Sequence, residues 1–310
     1  MMIDRRMVAA AAERIARYVR HTPVLLADIG DSPVTLKLEL LQHAGSFKPR
    51  GAFNRLLSEA VPAGGVIAAS GGNHGAAVAY AARCLGMTAE IFVPAGTPAA
   101  KVARIASYGA RVVQGGETYA EALLASRDRQ AVTGALEIHA YDHEDVLAGQ
   151  GTVGRELEQD APELTHILVA TGGGGLIGGI AAWYAGSACV VSVEPEGCPG
   201  LHDALRAGQP VNAPVGGLAA DSLGARQVGA LMFPIAQRFV SQAVLVPDEA
   251  ILAAQRMMWD RFRLVAEPGG ATAAAALLSG RFVPPAGARV GIVVCGANTD
   301  PATVVGLTVP

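Results

Sequence analysis

Charged and aromatic side chains are scarce in this 310-residue chain, at 16% and 5% of its residues, and it holds only four cysteines. Cys84, Cys189, Cys198 and Cys295 lie far apart, with no CxxC pair. That spacing excludes a zinc ribbon and a disulfide scaffold, and it reads as reduced thiols in a cytoplasmic protein. The net charge is −3 and no basic tract occurs, so neither nucleic acid nor an anionic membrane has an electrostatic footing as a partner. No apolar run approaches the length that spans a bilayer. Between Met1 and Arg20, the charges Arg5, Arg6, Glu13, Arg14 and Arg17 surround Val8, Ile15 and Val19. This is the pattern of an amphipathic helix rather than a secretory signal.

What the chain has in plenty is apolar residues, at 51%, and 38 glycines. Its length suits two lobes or one large α/β unit, with much buried surface that includes a subunit interface. Short β-branched runs alternate with Ala-rich helical stretches. Strands are predicted at Val34–Leu40, Gly65–Ser70, Ala89–Pro94, Ala110–Gln114, Leu136–Ala140, His166–Ala170, Cys189–Glu194, Ala243–Val246 and Val290–Cys295. Helices are predicted at Pro49–Glu59, His74–Leu85, Ala99–Tyr108, Tyr119–Asp128, Asp145–Gln159, Asp248–Phe262 and Ala271–Leu278. Within Asp248–Phe262, the series Ile251, Leu252, Gln255, Met258, Trp259 and Phe262 has helical spacing and reads as core. Such alternation predicts an α/β fold of mainly parallel twisted sheets flanked by helices, and the number of strands favours two lobes.

Several turns carry chemistry. Lys48 follows the strand Val34–Leu40 across the loop Gln42-His43-Ala44-Gly45 and precedes Pro49, which suits the first turn of a helix. A lysine at such a turn faces the crevice where open α/β sheets bind ligands, and desolvation would free its amine to act as a nucleophile. Read alone, a lysine is an ordinary solvated charge. Gly172-Gly173-Gly174-Gly175 follows the strand ending at Ala170 and opens a helix, so bare N–H groups and the helix dipole could cradle a phosphate. The blander reading is a tight turn. No Gly-Lys-Ser/Thr ends this loop, which excludes a P-loop, whereas Glu194 keeps a dinucleotide-binding reading open. Ser70-Gly71-Gly72-Asn73-His74-Gly75 is a second strand-to-helix turn, suited to a carboxylate or an aromatic hydroxyl. Asn73 there could equally be a helix cap, and His74 an ordinary first-turn residue. Val293-Val294-Cys295-Gly296-Ala297-Asn298 ends a strand in a thiol that is either a small buried hydrophobe or a partner for a weakly basic ring nitrogen.

Taken together and in this order, Ser46-Phe47-Lys48-Pro49-Arg50-Gly51-Ala52, Ser70 to Gly75, Gly172 to Leu176 and Cys295 to Asn298 resemble the pyridoxal-phosphate enzymes of the tryptophan-synthase-like fold (fold type II). Within that fold they resemble the serine/threonine dehydratases. His21-Thr22-Pro23, Ala148-Gly149-Gln150-Gly151-Thr152 and Glu267-Pro268 echo the same group, so the resemblance spans nearly the whole chain. It implies that Lys48 carries the cofactor covalently and removes the Cα proton of the substrate. It makes Phe47, Asn73, Gly172, Gly173, Gly174, Gly175, Leu176, Glu267 and Cys295 cofactor-binding, and Ser70, Gly71, Gly72, Asn73 and His74 the grip on the substrate carboxylate. It also implies a homodimer and a discontinuous large lobe, 1–64 and 143–310, around a small lobe, 65–142.

The implied activity is elimination of water and ammonia from a β-hydroxy amino acid, L-threonine or L-serine, to give a 2-oxo acid. A neutral thiol at the ring nitrogen weakens the electron sink and favours prompt loss of a β-hydroxyl over a long-lived carbanion. Racemases of similar sequence carry a serine where this chain has Gly71, so racemisation is not expected. Relatives that bind a divalent cation use a glutamate and an aspartate; Glu194 matches the first, but Gly200 stands at the second, so no metal is expected. No regulatory domain is expected beyond the Cys295 strand. The alternatives are β-replacement of the cysteine-synthase type, a dehydratase for a bulkier substrate such as phenylserine or hydroxyaspartate, and a non-catalytic module on an enzyme-like fold. A nicotinamide oxidoreductase stands furthest from the residues.

Overall fold

The structure, a computed structural model, describes residues 2–306. The strands are β1 (Val24–Ile29), β2 (Ser32–Lys37), β3 (Val66–Ala69), β4 (Ala89–Val93), β5 (Arg111–Gln114), β6 (Leu136–Glu137), β7 (His166–Ala170), β8 (Cys189–Pro195), β9 (Val240–Val246) and β10 (Val290–Val293). They form a six-stranded sheet of order β1-β2-β10-β7-β8-β9 and a four-stranded sheet of order β5-β4-β3-β6. All pairings are parallel except β1 with β2. The runs Val66–Ala69 and Val290–Val293 are buried throughout, as strands covered on both faces must be.

The helices are α1 (Arg5–Ile15), α2 (Pro49–Ser58), α3 (Asn73–Cys84), α4 (Ala99–Ser107), α5 (Tyr119–Thr133), α6 (Glu144–Asp160), α7 (Gly175–Tyr184), α8 (Gly200–Ala207), α9 (Ala220–Leu223), α10 (Phe233–Phe239), α11 (Asp248–Phe262), α12 (Pro268–Leu278) and α13 (Pro301–Val305). Helix α11 buries Ile251, Gln255 and Met258 and leaves Leu252, Trp259 and Phe262 half-buried. None of the described helices is long and apolar enough to cross a membrane.

Several predicted boundaries move. Strand β1 was not predicted; it is an edge strand whose Leu26 is exposed, so its apolar residues make no alternating pattern. Strand β2 stops at Lys37 rather than Leu40, where a 3-10 turn over Glu39–Leu41 brings Glu39 onto Arg50. Helix α5 runs on to Thr133, where Gly134 ends it in the left-handed region at φ 65. Helices α8 and α10 were also not predicted, being one to two turns long.

Two hydrophobic clusters account for most of the core. The larger surrounds the six-stranded sheet. The smaller surrounds β3 and β4 and takes Ala52, Phe53 and Leu56 from α2. Helix α2 therefore lies between them, packed on α6 and on α3. Behind its first turn sits a buried ion cluster. Arg50 makes paired hydrogen bonds to Glu39 (2.7 and 2.8 Å) and to Glu156 (2.7 and 2.8 Å). Lys37 reaches Glu156 at 3.0 Å, Asp160 at 2.9 Å and the Thr22 carbonyl at 2.7 Å. This cluster anchors the start of α2, and hence Lys48.

Candidate active site

Parallel strands present their carboxyl ends to one crevice, and ligands collect where the order of connection reverses. Strand β7 lies between β10 and β8, and β3 lies between β4 and β6. The turns leaving β7, β10 and β3 are the Gly172, Cys295 and Ser70 segments, and the loop after β2 leads to Lys48. They converge on a cleft lined by Phe47, Lys48, Asn73, Gly172, Gly173, Gly174, Gly175, Leu176, Glu267 and Cys295.

Lys48 is an amine with little to hold its charge. Nζ donates to the Ala140 carbonyl at 2.8 Å, and no carboxylate among the described residues forms an ion pair with it. Burial lowers its pKa from 10.5 to about 8, with Cys295 and Glu267 opposing weakly. Opposite it, Gly174 caps α7 at φ 87, a conformation that suits glycine, and a Cβ there would meet Met232 at 2.4 Å. A Cβ on Gly173 would lie 2.4 Å from the Tyr141 ring. These glycines keep backbone N–H groups bare at the start of a helix, which is what a phosphate needs. Burial pushes the Cys295 thiol well above the ordinary thiol range, so it stays neutral, with Sγ 3.4 Å from the Gly269 carbonyl. Glu267 is also buried and raised to about 7 by desolvation, against the Asn73 hydrogen bond that lowers it. Asn73 Nδ2 donates to Glu267 at 2.6 Å, and its second N–H has no partner among the described residues. The set therefore offers a phosphate cradle, a neutral partner for a ring nitrogen, a free amide N–H and a nucleophilic amine, and pyridoxal phosphate fits it.

The other anticipated residues stand apart. Ser70, Gly71 and Gly72 are half-exposed beside the cleft rather than lining it, with Ser70 Oγ accepting from the Gly72 N–H at 3.2 Å. His74 does not join them. Its Nε2 lies 2.8 Å from the Ile138 carbonyl, and burial, then Lys48, lowers its pKa to about 3. Its ring is thus neutral with the proton on Nε2, and only its backbone faces the turn. Glu194, buried, accepts from the N–H groups of Leu201 (2.6 Å) and His202 (2.8 Å) at the start of α8. Burial raises it to about 8 against those bonds, and both its oxygens are engaged within the protein. Tyr141, Thr171, Ile177, Ser222, Leu223 and Gly269 also line the cleft and were not anticipated. Ile177, Ser222, Leu223 and Gly269 belong to helices α7, α9 and α12, and of the six Thr171, Ile177 and Gly269 adjoin a recognisable motif.

Comparison with known proteins adds an independent line. A family model described as pyridoxal-phosphate dependent enzyme matches residues 15–296. The L-threonine ammonia-lyase of Geobacter sulfurreducens is 37% identical over 98% of this chain and 77% of its own. The phenylserine dehydratase of Ralstonia pickettii is 36% identical over 97% of this chain and 94% of its own. The structure of maize serine racemase superposes with a TM-score of 0.93 at 33% identity, covering 99% of this chain and 97% of that one.

Proposed function

The chain belongs to the pyridoxal-phosphate-dependent enzymes, and from that premise we propose that it is an ammonia-lyase acting on a β-hydroxy amino acid, L-threonine or L-serine. The observation that carries the reading is the half-buried, weakly held Lys48 amine facing a glycine cradle across one cleft. Similarity to an L-threonine ammonia-lyase over 98% of the chain supports it.

Bound in this cleft, pyridoxal phosphate would supply an electron-withdrawing ring that acidifies the substrate Cα–H and lets the β-hydroxyl depart. Lys48 would hold the cofactor covalently and, once displaced by substrate, take the Cα proton on Nζ. Its depressed pKa leaves a usable fraction unprotonated near neutral pH. Gly172 to Leu176 would bind the phosphate through backbone N–H groups, and Phe47 would pack beside the ring. The spare N–H of Asn73 would meet the phenolic oxygen, with Glu267 bracing that amide. Cys295 would meet the ring nitrogen without charge. Ser70, Gly71, Gly72, Asn73 and the His74 backbone would receive the substrate carboxylate. The products would be a 2-oxo acid and ammonia.

Gly71 bears on the racemase relative. It has no proton to return to the opposite Cα face, and a Cβ there would come within 2.9 Å of Thr97. D-serine should therefore form far more slowly than pyruvate. The fuller reading also has a small lobe at 65–142 within a large one, 1–64 and 143–310, a homodimer, and a cytoplasmic location.

The test is a panel of β-hydroxy amino acids assayed for 2-oxo acid release, with chiral chromatography for D-serine and borohydride reduction followed by peptide mapping. L-Threonine or L-serine should be the best substrate and the label should sit on Lys48. A label on Lys37 or Lys101 overturns the assignment, and preference for phenylserine or 3-hydroxyaspartate moves the enzyme to a bulkier substrate class.

A further inference from the structure

We infer that Arg104 is a positioning residue that acts through Asn298 to orient the Asn73 amide in the cleft. A single chain of polar contacts carries the inference, and it crosses repeatedly between elements of the two sheets. Arg104, on α4 beside the four-stranded sheet, donates from Nη1 to Asn298 Oδ1. Asn298, after β10 of the six-stranded sheet, donates from Nδ2 to Asn73 Oδ1 at 2.5 Å and to the Ala44 carbonyl at 2.8 Å. Asn73, at the start of α3, donates in turn to Glu267 at 2.6 Å.

The polarity of the chain follows from donor chemistry. A guanidinium can only donate, whereas a side-chain amide accepts at one end and donates at the other. With Arg104 on its oxygen, Asn298 must offer its nitrogen to Asn73. Asn73 must then offer its own nitrogen to Glu267 and to the cleft. The Ala44 carbonyl favours the same orientation of Asn298, so loss of Arg104 loosens the arrangement rather than inverting it. Asn298 also closes over the loop that leads to Lys48, since a Cβ on Gly45 would lie 2.3 Å from Asn298 Oδ1. Helix α4 makes a second bridge, Lys101 to Asp221, which does not reach Asn298. The two bridges tie α4 to different elements, α9 and the segment after β10, and only the Arg104 bridge reaches Asn73 through hydrogen bonds.

The inference rests on the assignment of the cleft to pyridoxal phosphate, and a two-part test separates the two. In the cofactor-free protein, the losses in Tm for Arg104→Ala and Asn73→Ala should combine to less than their sum, because both cut one chain. Lys101→Ala and Asn73→Ala should add. In the loaded protein, Arg104→Ala should shift the visible absorption maximum and raise the cofactor Kd about three- to tenfold, the scale of one hydrogen bond. Lys101→Ala should leave that maximum in place, and Arg104→Lys should restore most of it. Strict additivity of Arg104→Ala with Asn73→Ala overturns the chain. A coupled cycle with an unchanged spectrum, or the same shift from Lys101→Ala, overturns its role at the cofactor. A wild-type protein that binds no cofactor yet shows the coupled cycle refutes the assigned ligand and leaves the chain standing.

Discussion

Lys37 and Lys48 flank one loop, Lys37 buried and Lys48 half-buried, and their surroundings differ in kind. Lys37 has two carboxylates within 3.0 Å and a backbone carbonyl, so its charge is compensated on every side. Lys48 has one carbonyl and a neutral thiol nearby, and burial takes its pKa to about 8. The carboxylates behave in the same way. Glu156, although burial raises it, is held below the usual range by Arg50 and Lys37, whereas Glu267 faces the cleft without a cation in contact and rises to about 7. Compensated charge makes a rigid anchor, and uncompensated charge makes a reactive group. The anchor holds the weakly compensated amine in place, because Arg50 sits in the first turn that Lys48 begins.

The sharpest way to break this contrast is to exchange the outcomes. Lys48→Met should lower 2-oxo acid release by a factor on the order of 10³ or more. The same change should stabilise the cofactor-free protein by about 1–3 kcal/mol in urea unfolding at pH 7. The sign follows from linkage. Below pH 8 the native state carries a buried charge whose proton the unfolded chain holds more tightly. That cost is full at pH 7 and disappears as pH rises from about 8 towards 10.5, and the advantage of the variant should disappear with it. A Lys48→Met protein no more stable than wild type at pH 7 would show that Lys48 is compensated after all.

Arg50→Met should do the reverse and destabilise by about 3–5 kcal/mol, because it strands Glu39 and Glu156 without their shared cation. Urea unfolding checks it, and a loss below about 1 kcal/mol would mean the cluster is not an anchor. Gly173→Ala tests the cradle. Its methyl meets the Tyr141 ring, whose hydroxyl is held by the Gln227 carbonyl. Overpacking of this kind costs about 1–3 kcal/mol, read by equilibrium dialysis as weaker cofactor binding. Smallest is the pH effect on loading. With a pKa of about 8, the free-amine fraction of Lys48 grows about tenfold between pH 7 and pH 9. Covalent capture of pyridoxal phosphate by the apoprotein should accelerate in step, and a flat profile would place the reactive amine elsewhere.

Much of this organisation was legible before any coordinates. His166–Ala170 and Asp248–Phe262 were read with their observed bounds, since a buried parallel strand and a long amphipathic helix carry their own signal. Glycine runs after strands marked the turn at Gly172 to Gly175 that lines the cleft, and Lys48 was marked by its place between strand and Pro49. Edge strand β1 and the short helices α8 and α10 were not legible, because their residues are ordered by neighbours rather than by periodicity. His74 shows the same limit within a motif. Its position in the turn was plain, but the direction of its ring depended on the Ile138 carbonyl arriving from β6.

The sequence alone determined the alternation of strands and helices, the glycine turns and the lysine between them, because these depend on local backbone freedom and on which residues avoid water. Only the tertiary structure decided which charges were paired. Glu39, Arg50 and Glu156 are scattered along the chain and meet through packing, as do Asn73, Glu267, Asn298 and Arg104. Desolvation depends on what packs over a group, and hydrogen-bond polarity depends on the donor that reaches it. The depressed pKa of Lys48 is therefore a property of the fold, carried by a residue that the sequence could only nominate.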